Sequence, residues 1–416
     1  MSKTRIVFGG LGYAGLVLLA ACGGSDAGDA SGTSRTGIGD GEIKGTGGPG
    51  GKLGGDSLTG AAPPSDDFSG GAESAAGGAG GTGGGSTPAM GAAGSSAAPL
   101  PSDGESIAGP TPGGGDGSVQ SGILTAGAWD DNRNFARFTQ FREDLLQQGI
   151  PGLLPTTSAE HEDAYDLFKV ARTARKTLDV SLVIDTTGSM GDEIAYLQTE
   201  FLAISQRIET AHPDAEQRWS LIVYKDDGDE YVVRWFDFRN DAAEFRTHLA
   251  AQSAGGGGDF PEAPDQALET MNQLAWRSGA SNARIAFWVA DAPHHDGVAD
   301  KMADAIRGAA DQDVHIYPVA SSGIDEMTEL TMRSAAQLTG GRYLFLTDDS
   351  GVGGSHLEPS IPCYFVTRLD AAIVRMVDIE LSGTYHEPTA KEIIRTGGDP
   401  QDGACTLASG DEVLAF

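Results

Sequence analysis

The chain has 416 residues, 61 of them glycine, and a formal net charge of -31 at pH 7. That charge excludes a protein built to hold nucleic acid on a basic face, and it disfavours docking on anionic lipid by charge alone. The length would allow two or three domains, but glycine, alanine, serine and proline dominate the first third, which has too little apolar surface to offset chain entropy.

At the N-terminus Lys3 and Arg5 form a short positive region, and Ile6 to Leu19 is apolar but too short to span a bilayer. Leu19-Ala20-Ala21-Cys22 then offers small residues suited to cleavage. Residues 1–22 resemble a bacterial lipoprotein signal. The resemblance implies a lipidated Cys22, whose acyl chains suffice for stable membrane anchoring. Gly23 follows in place of aspartate, which in proteins of this kind favours the outer membrane of the cell envelope. The plain alternative is an ordinary secretory signal with an incidental cysteine. With Cys22 lipidated, Cys363 and Cys405 remain in an oxidising compartment, where a disulfide is the default. They are too far apart, and too poor in histidine neighbours, for a zinc site.

Residues 23–121 read as a disordered Gly/Ala/Ser/Pro-rich linker that holds the folded part clear of a lipid surface. Residues 122–177 form a pre-domain segment. Phe135, Phe138, Phe141 and Leu145 recur there at helical spacing, and Trp129 with Asp130 and Asp131 serves either packing or binding. From residue 178 the pattern alternates between strands and helices up to about residue 381, leaving 382–416 as a C-terminal tail. Val180–Ile184, Ile285–Ala290, Ile316–Val319 and Tyr343–Phe345 are short apolar runs suited to strands buried on both faces. Trp219–Tyr224 and Tyr231–Phe238 flank Asp226-Asp227-Gly228-Asp229 as a hairpin with an acidic turn. Ile194, Leu197, Phe201, Ile204 and Ile208 mark a helix face, as do Ala267, Leu268, Met271 and Leu274. Further helices are expected over 300–310, 327–338 and 366–377. The alternation predicts an α/β fold: a doubly wound, mainly parallel sheet with one antiparallel edge strand.

In such a sheet, ligands bind beyond the carboxyl ends of the strands. Val180–Ile184 runs into Asp185, and Ile285–Ala290 runs into Asp291. Asp185, Thr187 and Ser189 alternate, so in an extended loop their oxygens converge. A carboxylate and two hydroxyls are hard donors suited to Mg2+, Ca2+ or Mn2+. The alternative is a strand-to-helix turn in which Asp185 or Ser189 only caps the next helix. Adjacent His294 and His295 point in different directions and read as a solvated loop beside the site.

Asp185-x-Thr187-x-Ser189 resembles the metal-ion-dependent adhesion site of von Willebrand factor A domains, and the resemblance covers about 178–381. Gly256-Gly257-Gly258-Asp259-Phe260-Pro261-Glu262, Trp288-Val289-Ala290-Asp291-Ala292-Pro293-His294-His295 and Tyr224-Lys225-Asp226-Asp227-Gly228-Asp229 resemble loops of its integrin-β-like and hemicentin-like branch. The resemblance implies a Rossmann-like sheet and a divalent cation held by Asp185, Thr187, Ser189 and Glu262, with Asp291 holding a coordinated water. It also implies a second cation, Ca2+, at Asp226, Asp259 and Glu262. Thr187 stands where serine is commoner. No threonine stands clearly in the second loop, so Glu262 is a stronger fourth ligand than Ser253.

In this family a partner's acidic side chain completes the coordination, and affinity is often set by a shift of the last helix, here 366–377. The implied function is a cell-surface lipoprotein that binds a carboxylate-bearing partner, with the lipid anchor in the membrane and no nucleic acid involved. No catalytic residue is assigned. Nucleophile-elbow, phosphate-loop and zinc-protease patterns are missing, so an enzyme is not expected. The alternatives are a structural or regulatory scaffold subunit of an envelope complex and, further off, a metal-dependent hydrolase.

Overall fold

The computed structural model describes residues 37–45, 124–170, 172–258, 260–321, 324–350, 356 and 358–416. Cys22 and nearly all of the segment read as a linker lie outside the described residues. Among the described residues no helix is long and apolar enough to cross a membrane.

In chain order the elements are β1 (Gly41–Ile43), β2 (Thr125–Trp129), α1 (Phe135–Gln148), α2 (Ser158–Phe168), β3 (Thr177–Asp185), α3 (Gly191–Ala211), β4 (Glu216–Tyr224), β5 (Val233–Arg239), α4 (Ala242–Ala250) and α5 (Pro264–Met271). They continue with β6 (Asn282–Ala290), α6 (Ala299–Asp311), β7 (His315–Ala320), α7 (Glu326–Thr339), β8 (Tyr343–Thr347), β9 (Tyr364–Arg368), α8 (Leu369–Ser382), β10 (Arg395–Gly397), β11 (Ala404–Thr406) and β12 (Glu412–Leu414). The main sheet has the order β1-β5-β4-β3-β6-β7-β8-β2-β9-β10. Its centre, β4-β3-β6-β7-β8, is parallel. The expected antiparallel strand is β5, paired to β4 with Tyr224 opposite Val233.

Successive side chains of a strand point to opposite faces, and here both faces are covered, which is why the strands read as unbroken apolar runs. In β6, Ala286, Trp288 and Ala290 join one core with residues of α5, α6 and α7. Ile285, Phe287 and Val289 join the other with residues of α3, α4 and α8. The expected stripe on α3 is buried, and its Phe201 ring meets Trp219 edge-on at 4.8 Å.

Four differences from the sequence reading concern the periphery. First, β5 is not the edge, because β1, from within the expected linker, pairs with it. Second, the 122–177 segment does more than pack on the domain: β2 lies inside the sheet, antiparallel to both β8 and β9. A side chain at Gly127 would overlap the Phe345 ring. Asp131 pairs with Arg333 at 2.6 Å and accepts the Trp129 indole N–H at 3.0 Å, while Asp130 pairs with Arg342 at 3.1 Å. All three residues are buried, so Trp129 and its aspartates are packing elements.

Third, the last helix starts at Leu369; Tyr364-Phe365-Val366-Thr367 is rich in aromatic and β-branched residues and forms β9. Fourth, the tail beyond 381 belongs to the fold. Phe416 and Val413 are buried in the two cores, and β10 pairs with β9. The Cys363–Cys405 disulfide is present and ties the entry of β9 to this tail.

Candidate functional site

Adjacent parallel strands β4, β3 and β6 end together, with Asp185 opposite Tyr224 and Ile184 opposite Val289. The loops that follow are therefore neighbours at the carboxyl edge of the sheet. Asp185 is buried, and its Oδ1 accepts the Thr187 backbone N–H at 2.8 Å and the Thr187 hydroxyl at 2.7 Å. This bond folds the first loop back on itself. Met190 precedes α3 without any side-chain cap, so neither Asp185 nor Ser189 caps that helix.

The second loop lies against the first. Gly255 N–H donates to the Thr186 carbonyl at 3.0 Å, and Gly188 N–H donates to the Gly256 carbonyl at 3.2 Å. Gly256 and Gly257 have φ of 84° and 69°, the left-handed region that favours glycine. A side chain at Gly257 would also crowd Thr187 and the Glu262 carboxylate, so this glycine lets Glu262 approach the first loop. Glu262 N–H donates to the Pro293 carbonyl at 2.9 Å, which ties the second loop to the third. The Lys225 ammonium donates to the Gly255 carbonyl. Ser189 lies near enough to the Asp291 carboxyl to lower its pKa.

Three carboxylates thus stand at the strand ends on three loops, near enough to raise one another's pKa. Among the described residues, Asp185 Oδ2, Glu262 Oε2 and Asp291 Oδ1 are each buried without a hydrogen-bond partner. Burial pushes the Glu262 carboxyl up to about 9, helped by Asp185, Asp226, Asp229 and Asp291. Burial raises Asp185 to about 7 against the bonds from Thr187, with Asp291 adding to the rise. Asp291 is raised by burial, with Ser189 opposing and Glu193 adding. Buried unpaired carboxylate oxygens beside hydroxyls are the donor chemistry of a hard divalent cation. Among the described residues, no three His, Cys, Asp or Glu side chains form a metal cluster by themselves, so any such ion depends on the Thr187 and Ser189 hydroxyls as well.

Of the residues expected around a second cation, Asp226 lies near enough to Glu262 to raise its pKa. Asp226 Oδ1 bonds His295 Nε2 at 2.6 Å, and Asp259 lies outside the described residues. Asp229 Oδ2 accepts the Gly257 N–H at 3.1 Å, so part of the hairpin's acidity serves the loop itself. The histidine pair is not simply solvated. His294 is buried, its Nε2 bonds the Gly152 carbonyl at 2.9 Å, and burial lowers its pKa.

Glu193 and His356, which sequence reasoning missed, lie at the rim: both are buried, with His356 Nε2 3.9 Å from the Glu193 carboxylate. Glu193 sits in the acidic first turn of α3, and that turn was the available signal.

The chain matches the von Willebrand factor A domain family over residues 179–351. It carries a von Willebrand factor A domain. Alpha-protein kinase vwkA of Dictyostelium discoideum is 28% identical over 142 residues, covering 34% of this chain and 22% of the relative. A putative ariadne-like RING finger protein of Acanthamoeba polyphaga mimivirus is 27% identical over 190 residues, covering 41% of this chain and 18% of the relative. The match thus spans about a fifth of each relative.

Among solved structures, BatB of Bacteroides thetaiotaomicron is similar at a TM-score of 0.34 and 11% identity, covering 48% of this chain and 97% of that one. The pilus adhesin SpaC of Lactobacillus rhamnosus GG is similar at a TM-score of 0.31 and 13% identity, covering 40% of this chain and 28% of that one. A von Willebrand factor A domain supports a protein-interaction or adhesion-type role, and the three-loop site lies on this domain.

Proposed function

We propose that the domain binds a protein partner through a divalent cation held by Asp185, Thr187, Ser189 and Glu262, with Asp291 holding a coordinated water. The observation that carries this reading is the set of buried, unpartnered oxygens on Asp185, Glu262 and Asp291. The cation supplies the positive charge these carboxylates lack and leaves a position for an acidic group of the partner. The Thr187 amide and hydroxyl fix Asp185, and Gly257 and the Pro293 carbonyl place Glu262. The bond between Asp226 and His295 favours one cation over two. The integrin-β-like branch and a binding role without catalysis are part of this proposal. A scaffold subunit is the alternative; it predicts partner capture that chelator leaves intact.

Asp185→Ala should abolish cation binding, and with it cation-dependent partner capture, while circular dichroism and thermal unfolding stay those of a folded protein. Calorimetry with Mg2+, Ca2+ and Mn2+ reads the first, and pull-down from envelope extract with and without chelator reads the second. Unchanged binding in the variant would refute the site.

The lipoprotein reading of residues 1–22 is also proposed, with the outer membrane as the location. A Cys22→Ser chain should leave the membrane fraction or keep an unprocessed signal. A variant that is both anchored and of mature size would rule the anchor out.

A further inference from the structure

Residues 37–45 are remote in sequence from the rest of the described fold, which resumes at Leu124, yet they fit the β5 edge closely. Gly41, Glu42 and Ile43 stand opposite Trp235, Arg234 and Val233. The Ile43 carbonyl accepts the Val232 N–H at 2.9 Å, and the Gly39 carbonyl accepts the Trp235 indole N–H at 2.5 Å. Asp40 Oδ1 accepts the Asp237 N–H at 2.8 Å while its Oδ2 pairs with Arg239 at 2.7 Å, and Glu42 pairs with Arg234 at 2.6 Å.

Three glycines are required by this seat. A side chain at Gly37 would overlap Asp237 and Ala275, one at Gly41 the Trp235 ring, and one at Gly45 the Asp229 carbonyl. A generic glycine-rich tether has no reason to place glycine at these contacts and acids opposite two arginines.

Just beyond this strand the chain reaches the acidic hairpin beside the site. Gly45 abuts Asp229, and Asp229 Oδ2 accepts the backbone N–H of Gly257, the glycine packed against Thr187 and Glu262. We propose that residues 37–45 are a tethered strand that docks on the β5 edge of its own chain and steadies the acidic hairpin and, through Asp229, the glycine loop of the site. Adding a strand satisfies the main-chain groups of an edge that would otherwise stay open. The covalent connection raises the local concentration of the strand over that of a second copy. The role at the site rests on the cation reading above; the docking does not.

The test uses the full chain and amide exchange read by mass spectrometry without any cation, so its outcome is independent of the cation reading. Gly41→Val, which collides with Trp235, and Glu42→Arg, which faces Arg234, should each speed exchange across 231–239 by about tenfold or more. Exchange across 253–258 should rise several-fold, while β6 keeps its protection. The unaltered chain should be monomeric by light scattering. Unchanged exchange across 231–239 would overturn the docking. Release of 231–239 without any change across 253–258 would overturn the coupling, and a dimer that exchanges strands would transfer the seat to a second copy.

Discussion

Protein stripped of divalent cation should lose roughly 2 kcal/mol of stability between pH 7 and pH 9, and Mg2+ or Ca2+ should restore it. The cause is the group of carboxylates at the strand ends, where burial and mutual repulsion push Glu262 up to about 9 and burial raises Asp185 to about 7. A carboxyl whose folded value lies above its unfolded value holds its proton more tightly in the fold. Its contribution is fully present below the unfolded value and is lost as pH rises through the folded one. The window starts at pH 7 because buried His161 and His294, both lowered by burial, act in the opposite sense below it. Burial lowers His161 to about 4, so that residue gains stability as pH climbs toward the ordinary imidazole range.

A cation binds the ionised carboxylates and competes with protons, so its stabilisation should be larger at pH 9 than at pH 6. Urea unfolding with chelator and with cation across this range measures both slopes. Glu262→Gln should flatten the chelated curve. A flat curve in the unaltered protein, or a cation effect independent of pH, would remove the electrostatic basis of the site.

The centre of the sheet was readable because each parallel strand is buried on both faces and ends in a residue of a different kind. Ile184 to Asp185 and Ala290 to Asp291 are abrupt changes from apolar to acidic, and they mark the strand ends correctly. Peripheral strands lack that signature. Thr125–Trp129 contains Gly127 and two alanines, and only the distant Phe345 ring explains why a small residue is needed there. Gly41–Ile43 sits in composition that reads as tether, and its partners lie in β5. One local signal went unused. Thr157 and Glu160 form a capping box that opens α2, with the Thr157 side chain accepting the Glu160 N–H and the Glu160 carboxylate accepting the Thr157 N–H. The pairing of His295 with Asp226 depends on two loops meeting and has no trace in the order of residues.

Glu380→Gln should cost about 3–5 kcal/mol of folding stability while leaving cation affinity of the folded protein unchanged. Glu380 lies near the end of α8 and is buried, at the edge of the sheet opposite the candidate site. Its Oε1 accepts the Tyr317 hydroxyl at 2.6 Å, Arg172 at 2.8 Å and Arg342 at 3.0 Å, and its Oε2 lies 2.8 Å from His315 Nδ1. Burial alone would raise this carboxyl, but His315, Arg172 and Arg342 outweigh it and hold the group well below the usual carboxylate range. Glutamine keeps the shape and removes the charge. Its amide would turn a donor toward donors, and among the described residues the buried Arg342 would keep only Asp130 as an ion-pair partner.

The same contacts bear on the last helix. Sliding α8 along its axis would draw Glu380 away from groups at the start of β7, just before β8 and ahead of β3, so the ordinary state of this helix is pinned. Chemical denaturation reads the stability, and calorimetry at low denaturant reads the affinity. A small loss of stability would mean that water or a shifted Arg172 compensates for the missing charge. A large change in cation affinity would mean that the two ends of the sheet are coupled through α8.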